Sequence, residues 1–363
     1  MLKAKPLRRG DTIGLVGISG AMHEPETKFD KMLAAIDALG YKVIIADSCR
    51  EEYGYLSGTD ESRAKGLNQM FRDDRVDAVV CMRGGYGVAR ILDRVDFDVI
   101  RANPKILLGY SDITALHTAI HEKVGMVTIH GPMPDRAWME FDDFSRESMI
   151  RALTSTEPLG LLQNPEGMAP QCIVPGRCEG LLVGGNLSLI ASGCGTPYAL
   201  DPTGKVLLLE DVGEYIYRLD SMLTQLRHAG MFEKCVGVVL GGFTDCTEEY
   251  ECYALHLEDI IRDIIAGYDA LMNDPAEAAR VLWLGGKLLG QENALTREEP
   301  SMGGEDFSYF VEEVPGAFWH LGCATTLPAP TLHSRDFVPD ERCLPIGAAI
   351  QSALVLDRMG MLD

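Results

Sequence analysis

From about residue 12 to residue 124 the chain alternates short apolar runs with longer stretches whose apolar residues recur at helical spacing, and this alternation restricts the fold more than any other feature. Thr12–Ile18 reads as a strand that ends in Ser19-Gly20, and Glu26–Leu39 reads as a helix closed by Gly40. Tyr41–Ala46, Ala78–Met82 and Ile106–Leu108 read as further strands, with helices over Asp60–Phe71, from Val88 to Asp93, and over Ile113–Val124. Strands separated by helical patterns of about a dozen residues pair in parallel, so the predicted class is α/β with a Rossmann-like parallel sheet. Sites in such sheets lie beyond the carboxyl ends of the strands. Two polar, glycine-bearing segments fall there: Arg83-Gly84-Gly85-Tyr86-Gly87 and Gly109-Tyr110-Ser111-Asp112.

Ser111 follows an apolar strand and precedes an amphipathic helix carrying Ile113, Leu116, Ile120 and Val124. A serine nucleophile needs such an exposed turn, a base, and donors for the oxyanion. Gly84 and Gly85 are able to turn backbone N–H groups toward a carbonyl. The segment lacks the second glycine of G-x-S-x-G, because Ile113 stands there. By position alone, Ser111 also fits a plain helix cap. Glu210 ends the apolar run Val206–Leu209 at a strand mouth, with Glu214 one turn further on. A domain-interface ion pair is the other reading of Glu210, and a structural ion pair the other reading of Arg83.

Residues from about 145 to 178, rich in proline and glycine, read as a connection. Beyond it, Gly204–Glu210 and Val236–Leu240 read as strands, with helices over Leu219–Ala229, Leu257–Ile265 and Pro275–Leu289. A formal net charge of −21 argues against nucleic acid or an anionic membrane as partner. The ten cysteines form no C-x-x-C pair, so no metal ribbon or redox motif is signalled. No apolar run is long enough to span a bilayer and the first apolar run is too short for an export signal, so the cytoplasm is the expected compartment. No cofactor is expected.

Met82–Gly87, Leu108–Leu116, His130-Gly131-Pro132-Met133, Gly184–Ser188 and Leu209–Glu214 followed by Tyr217–Asp220 together resemble the LD-carboxypeptidases, in that family's order, over about residues 7–265. The resemblance implies a metal-independent serine peptidase with a Ser–Glu–His triad that cleaves an L,D-amide, releasing D-alanine from the murein tetrapeptide. It implies Ser111 as nucleophile, Glu210 as the carboxylate that orients histidine, and oxyanion donors at Gly85 and Asp112. Arg83, Gly84 and Asn186 are the implied substrate contacts. The partner is then a short peptide with a C-terminal D-residue, and the family's habit allows a homodimer.

The family's histidine sits in a Gly-His dipeptide near the C-terminus, and none of this chain's eight histidines follows a glycine. Instead Asn273-Asp274-Pro275, Pro300–Phe310, Pro315–Phe318, Leu332-His333-Ser334 and Leu344–Ala349 resemble the end of the zinc-dependent aminoacylase and amidohydrolase peptidases. The chain therefore reads as a chimera joined near residues 265–270. Its expected parts are an N-terminal domain (1–150), a linker (151–178), an incomplete second α/β or β-rich domain (179–268) and an α/β fragment of another hydrolase (269–363). The residue matching His333 is a zinc ligand in that second family, but its companions are absent and no H-x-D pair exists here, so no metal site is expected. His333 is carried as the candidate third member of the triad, with His320 and His256 behind it, and loss of the family's histidine segment is expected to impair activity. His117, His121 and His130 read as structural. The alternatives are a microcin-immunity-type serine peptidase, an inactive peptide-binding remnant, and a metal-dependent amidohydrolase that the missing ligands disfavour. Loss of the family's last strands would leave sheet edges open and favour aggregation.

Overall fold

A computed structural model of the chain describes residues 1–22, 25–135, 138, 140, 142–165, 167–174, 176–247, 255–265, 275–295, 317, 319, 321, 323 and 340–361. Two compact units divide it, 1–265 and 266–363.

The first unit opens with the expected alternation. It runs β1 (Thr12–Val16), α1 (Pro25–Ala38), β2 (Lys42–Ile45), α2 (Asp60–Arg72), β3 (Ala78–Cys81), α3 (Phe97–Ala102), β4 (Ile106–Gly109), α4 (Thr114–Val124) and β5 (Ile129–His130). The five strands form one sheet in the order β2-β1-β3-β4-β5, every pair parallel. β3 and β4 lie in the middle and are buried along their whole length, as continuous apolar runs in parallel sheets are. The segment read as a helix from Val88 to Asp93 forms a 3-10 helix (Val88–Arg94) before α3. α5 (Asp143–Thr154) occupies the start of the stretch read as a connection, and the Asp142 side chain caps it by accepting from Ser145 N.

A second parallel sheet follows within the same unit. β6 (Leu182–Asn186), α6 (Leu187–Gly193), β7 (Val206–Val212), α7 (Ile216–His228), α8 (Met231–Lys234), β8 (Gly237–Thr244) and α9 (Leu257–Ile264) alternate again, with strand order β6-β7-β8. Register slips between Leu209 and Asp211 on β7, so Glu210 sits at the irregularity. Bulges of this kind re-aim a side chain next to a site. The α/β class with parallel sheets is thus as expected.

In the second unit, α10 (Pro275–Leu289) and α11 (Cys343–Arg358) pair through Arg280–Asp357 and Arg358–Glu277 (2.7 Å). The Leu344–Ala349 motif lies in the first turns of α11. No helix among the described residues is long and apolar enough to cross a membrane.

Leu107 is fully buried at the centre of the first sheet. Leu107→Ala is expected to lower unfolding free energy by about 2–5 kcal/mol in a urea titration, through lost burial plus the cavity left behind. A change below about 1 kcal/mol would contradict that placement.

Candidate active site

Four strand ends of the first sheet meet here: Ser19 after β1, the Gly84–Gly85 loop after β3, Ser111 after β4 and His130 at the end of β5. Ser111 is one of two non-glycine residues with positive φ among the described residues, at +61°. An L-residue in the left-handed region costs roughly 1–2 kcal/mol, so the surroundings hold it there. The turn lifts Ser111 off β4 into a short 3-10 segment (Ser111–Ile113) that runs straight into α4. This is a nucleophile-elbow shape without the usual second glycine. The Gly84 backbone passes so close that a Cβ there would stand 3.2 Å from both Cβ and Oγ of Ser111, crowding the hydroxyl.

Asp112 faces inward and is buried. Its Oδ2 accepts the Ser19 hydroxyl at 2.5 Å and the Val88 N–H at 3.0 Å, tying the nucleophile turn to the ends of β1 and β3. Burial raises the Asp112 carboxyl above its usual range, while the Ser19 and Val88 hydrogen bonds and nearby Arg63 pull it down. Arg63 on α2 is also fully buried, and donates to the carbonyls of Ile18 (2.6 Å) and Gly87 (2.8 Å) while pairing with Asp60. The side chain of Asp112 is therefore committed to holding the loops, and only its backbone N–H fits the implied oxyanion role.

The second sheet contributes Glu210, whose Oε1 stands 3.6 Å from His130 Nε2. Burial first, and then the charge of Asp211, push the Glu210 carboxyl up to about 7, against a hydrogen bond from Asn186 that lowers it. Burial lowers His130. Asn186 joins the two sheets: its backbone N–H donates to Thr114 Oγ1 at 3.1 Å. Its side chain donates to Asp211 (2.9 Å) and caps α6 by accepting from Leu189 N (3.3 Å). This commits Asn186 to bracing β7, and no observation favours its implied substrate contact. Arg83 donates to the Ala21 carbonyl at 2.6 Å, and pairs with no carboxylate among the described residues. Glu214, the alternative to Glu210, pairs with Arg218 at 2.7 Å on α7.

Of the histidines, His333 and His320 lie outside the described residues. His256 caps α9 in a capping box with Asp259. His117 is buried against the Gly109 carbonyl (2.9 Å), its pKa pushed down to about 4 by desolvation, and it braces the nucleophile turn. His130, read from sequence as structural, is the histidine beside Glu210. Its position in a strand of two residues hid this, because so short a run carries no periodicity.

Residues 13–131 match the LD-carboxypeptidase N-terminal domain and residues 179–274 the LD-carboxypeptidase C-terminal domain. The chain is similar to the "Probable murein peptide carboxypeptidase" of Bacillus subtilis, with 40% identity over 274 residues covering 74% of this chain and 84% of that protein. It is 36% identical over 208 residues to the murein tetrapeptide carboxypeptidase of Pseudomonas aeruginosa, covering 56% and 67% respectively. Among solved structures it resembles an MccF-like protein from Bacillus anthracis, with TM-score 0.64 and 26% identity over 72% of this chain and 86% of that one.

Two consequences follow from this geometry. Ser111→Gly relieves the left-handed strain, so the variant is expected to unfold about 1 kcal/mol harder than Ser111→Ala, which keeps it. Equal stability of the two would mean that the turn is unstrained. Glu210 carries a raised folded-state pKa, so wild type loses stability as pH rises from about 4.5 to about 7 and stays at that lower level above. Glu210→Gln removes the loss: it is expected to exceed wild type by on the order of 2 kcal/mol at pH 8 and to converge with it near pH 4. A pH-independent difference in the melts would refute the assignment.

Proposed function

The chain belongs to the LD-carboxypeptidase family, and from that premise we propose that it is a serine carboxypeptidase hydrolysing the L,D-amide bond of the murein tetrapeptide with release of D-alanine. The observation that carries this is Ser111 itself, held at φ +61° at the end of β4 beneath the Gly84–Gly85 loop. It lies inside the segment matched by the family's N-terminal domain.

In the proposed reaction Ser111 Oγ attacks the carbonyl carbon of the scissile amide while its proton passes to a histidine imidazole oriented by Glu210, the role for which the family resemblance carries His333. The tetrahedral oxyanion is held by backbone N–H groups of Gly85 and Asp112, next to the amino end of the helical run that begins at Ser111. Gly85, at φ +131°, adopts a conformation that only glycine accepts readily. Collapse breaks the C–N bond, the base returns the proton to the amine of D-alanine, and an acyl-Ser111 ester remains. Water then repeats the sequence, freeing the shortened peptide and restoring the hydroxyl. Arg83 and Gly84 line the loop beside Ser111, where a substrate carboxylate would meet the guanidinium; no metal takes part in this scheme.

A second reading is hydrolysis of an acyl-sulfamoyl adenylate, favoured by the likeness to the MccF-like protein. We also propose that residues from about 269 derive from the end of a zinc-dependent aminoacylase-type hydrolase, following LD-carboxypeptidase-like parts at 1–150 and 179–268 and a linker at 151–178. The unit boundary after Ile265 and the end of the family match at residue 274 support that junction.

The test is D-alanine release from murein tetrapeptide by wild type and Ser111→Ala. The variant is expected to lose at least about 10³-fold in kcat, with wild type unaffected by EDTA. Equal rates from the two proteins would remove Ser111 as nucleophile. Turnover of an aspartyl-sulfamoyl adenosine with none of the tetrapeptide would favour the second reading.

A further inference from the structure

His130 and Glu210 come from different sheets, and each has a buried polar atom without a hydrogen-bond partner: Nδ1 of His130 and Oε1 of Glu210. Such atoms are rare in folded proteins and call for an explanation. His130 is fixed by pairing with Gly109 across β4 and β5 and by the Gly131 N–H bond to the Gly109 carbonyl (3.0 Å). The face of its ring carrying Nδ1 lies against Gly185, where a Cβ would stand 3.1 Å from that nitrogen and 2.8 Å from Thr114 Oγ1. Gly185, at φ +140°, is thus the residue that lets the imidazole enter.

This packing decides the tautomer. Nδ1 has no acceptor, so a hydrogen there would be buried and unsatisfied. The hydrogen belongs on Nε2, which points at Glu210 Oε1 from 3.6 Å. That separation lies just beyond hydrogen-bond length, and catalytic bonds are often long before substrate binds. The charged and titratable groups around the pair are few. His117 faces His130 from α4 with ring centroids 6.1 Å apart, and Tyr110 faces it from the end of β4 at 6.3 Å. Asp211 adjoins Glu210 on β7, with its charge turned to Asn186 and Ser188. His117 is itself neutral at ordinary pH, because burial pushes it down to about 4.

We propose that His130 is a positioning residue for the proposed reaction: a neutral imidazole whose Nε2–H donates to Glu210, orienting the carboxylate and favouring its ionised form. It acts through Glu210 and makes no contact with the substrate. The inference rests on the proposed peptidase reading for its kinetic consequence alone, since the place of the proton on Nε2 follows from the packing of Nδ1 in the unliganded chain.

Two measurements test it. Long-range ¹H–¹⁵N spectra of the full-length wild type at pH 7 to 8 are expected to show His130 as the Nε2–H tautomer; an Nδ1–H tautomer or an imidazolium would overturn the proposal. In kcat/KM profiles, His130→Phe removes the donor, and the acid limb is expected to move up by about one pH unit, a tenfold loss at pH 6. His130→Gln places an amide N–H where Nε2 stood and should hold the limb within about 0.3 units of wild type. His130→Asn mimics the Nδ1 side and should resemble Phe. Identical limbs in all four proteins, or equal damage from Gln and Phe, would leave only a packing role. Wild type that shows the Nε2–H tautomer and no D-alanine release would refute the peptidase reading and leave the tautomer assignment standing.

Discussion

Two buried charges, Asp112 and Arg63, hold the candidate site together. A carboxylate and a guanidinium inside a protein are costly unless each finds partners, and here the partners are the strand ends themselves. Asp112 gathers Ser19 and Val88, 93 and 24 residues away in sequence. Arg63 gathers Ile18 and Gly87, 45 and 24 residues away. Both reach the segments that follow β1 and β3, so the glycine loop is pinned beside Ser111 by buried polar atoms. Loops are ordinarily the mobile part of an α/β sheet. Here the loops carrying Ser19, Gly84–Gly85 and Val88 are cross-braced to the core, which is how a left-handed serine persists.

Much of this was legible from the residues. Apolar runs located six of the eight described strands, β1 to β4, β7 and β8, because buried strands leave continuous apolar signatures; β6, with its two glycines, and the two-residue β5 were not read as strands. Ser111 and Glu210 stood out because each follows an apolar run. What the residues hid was long-range or irregular. No local pattern announces that Asp112 will bond Ser19, nor that the register slip at Glu210 turns it toward the other sheet. His130 ends a two-residue strand and read as structural. Asn186 carries both readings: an amide inside a family motif suggests a ligand contact, and its hydrogen bonds in the unliganded chain serve β7 and α6.

Glu210 illustrates how a site stores unfavourable energy. Asp211 beside it, and burial around it, both oppose ionisation, while the reaction needs the charged form. Asn186 and His130 are the groups on hand to offset that opposition. The protein spends stability at this point, as sites commonly do, and recovers it in the apolar cores of the two sheets.

The 3.1 Å bond from Asn186 N to Thr114 Oγ1 joins the sheet that carries Ser111 to the sheet that carries Glu210. Each sheet has its own strand ladder, but the active constellation belongs to neither. Hydrogen bonds at such a seam fail over a fraction of an ångström, well before a ladder melts. The seam also carries Asp201 N–H to Glu122 (3.2 Å) and Phe97 against Tyr198; warming that loosens it parts Ser111 from Glu210 while both sheets remain intact, so the ceiling on working temperature lies below the temperature at which the chain unfolds.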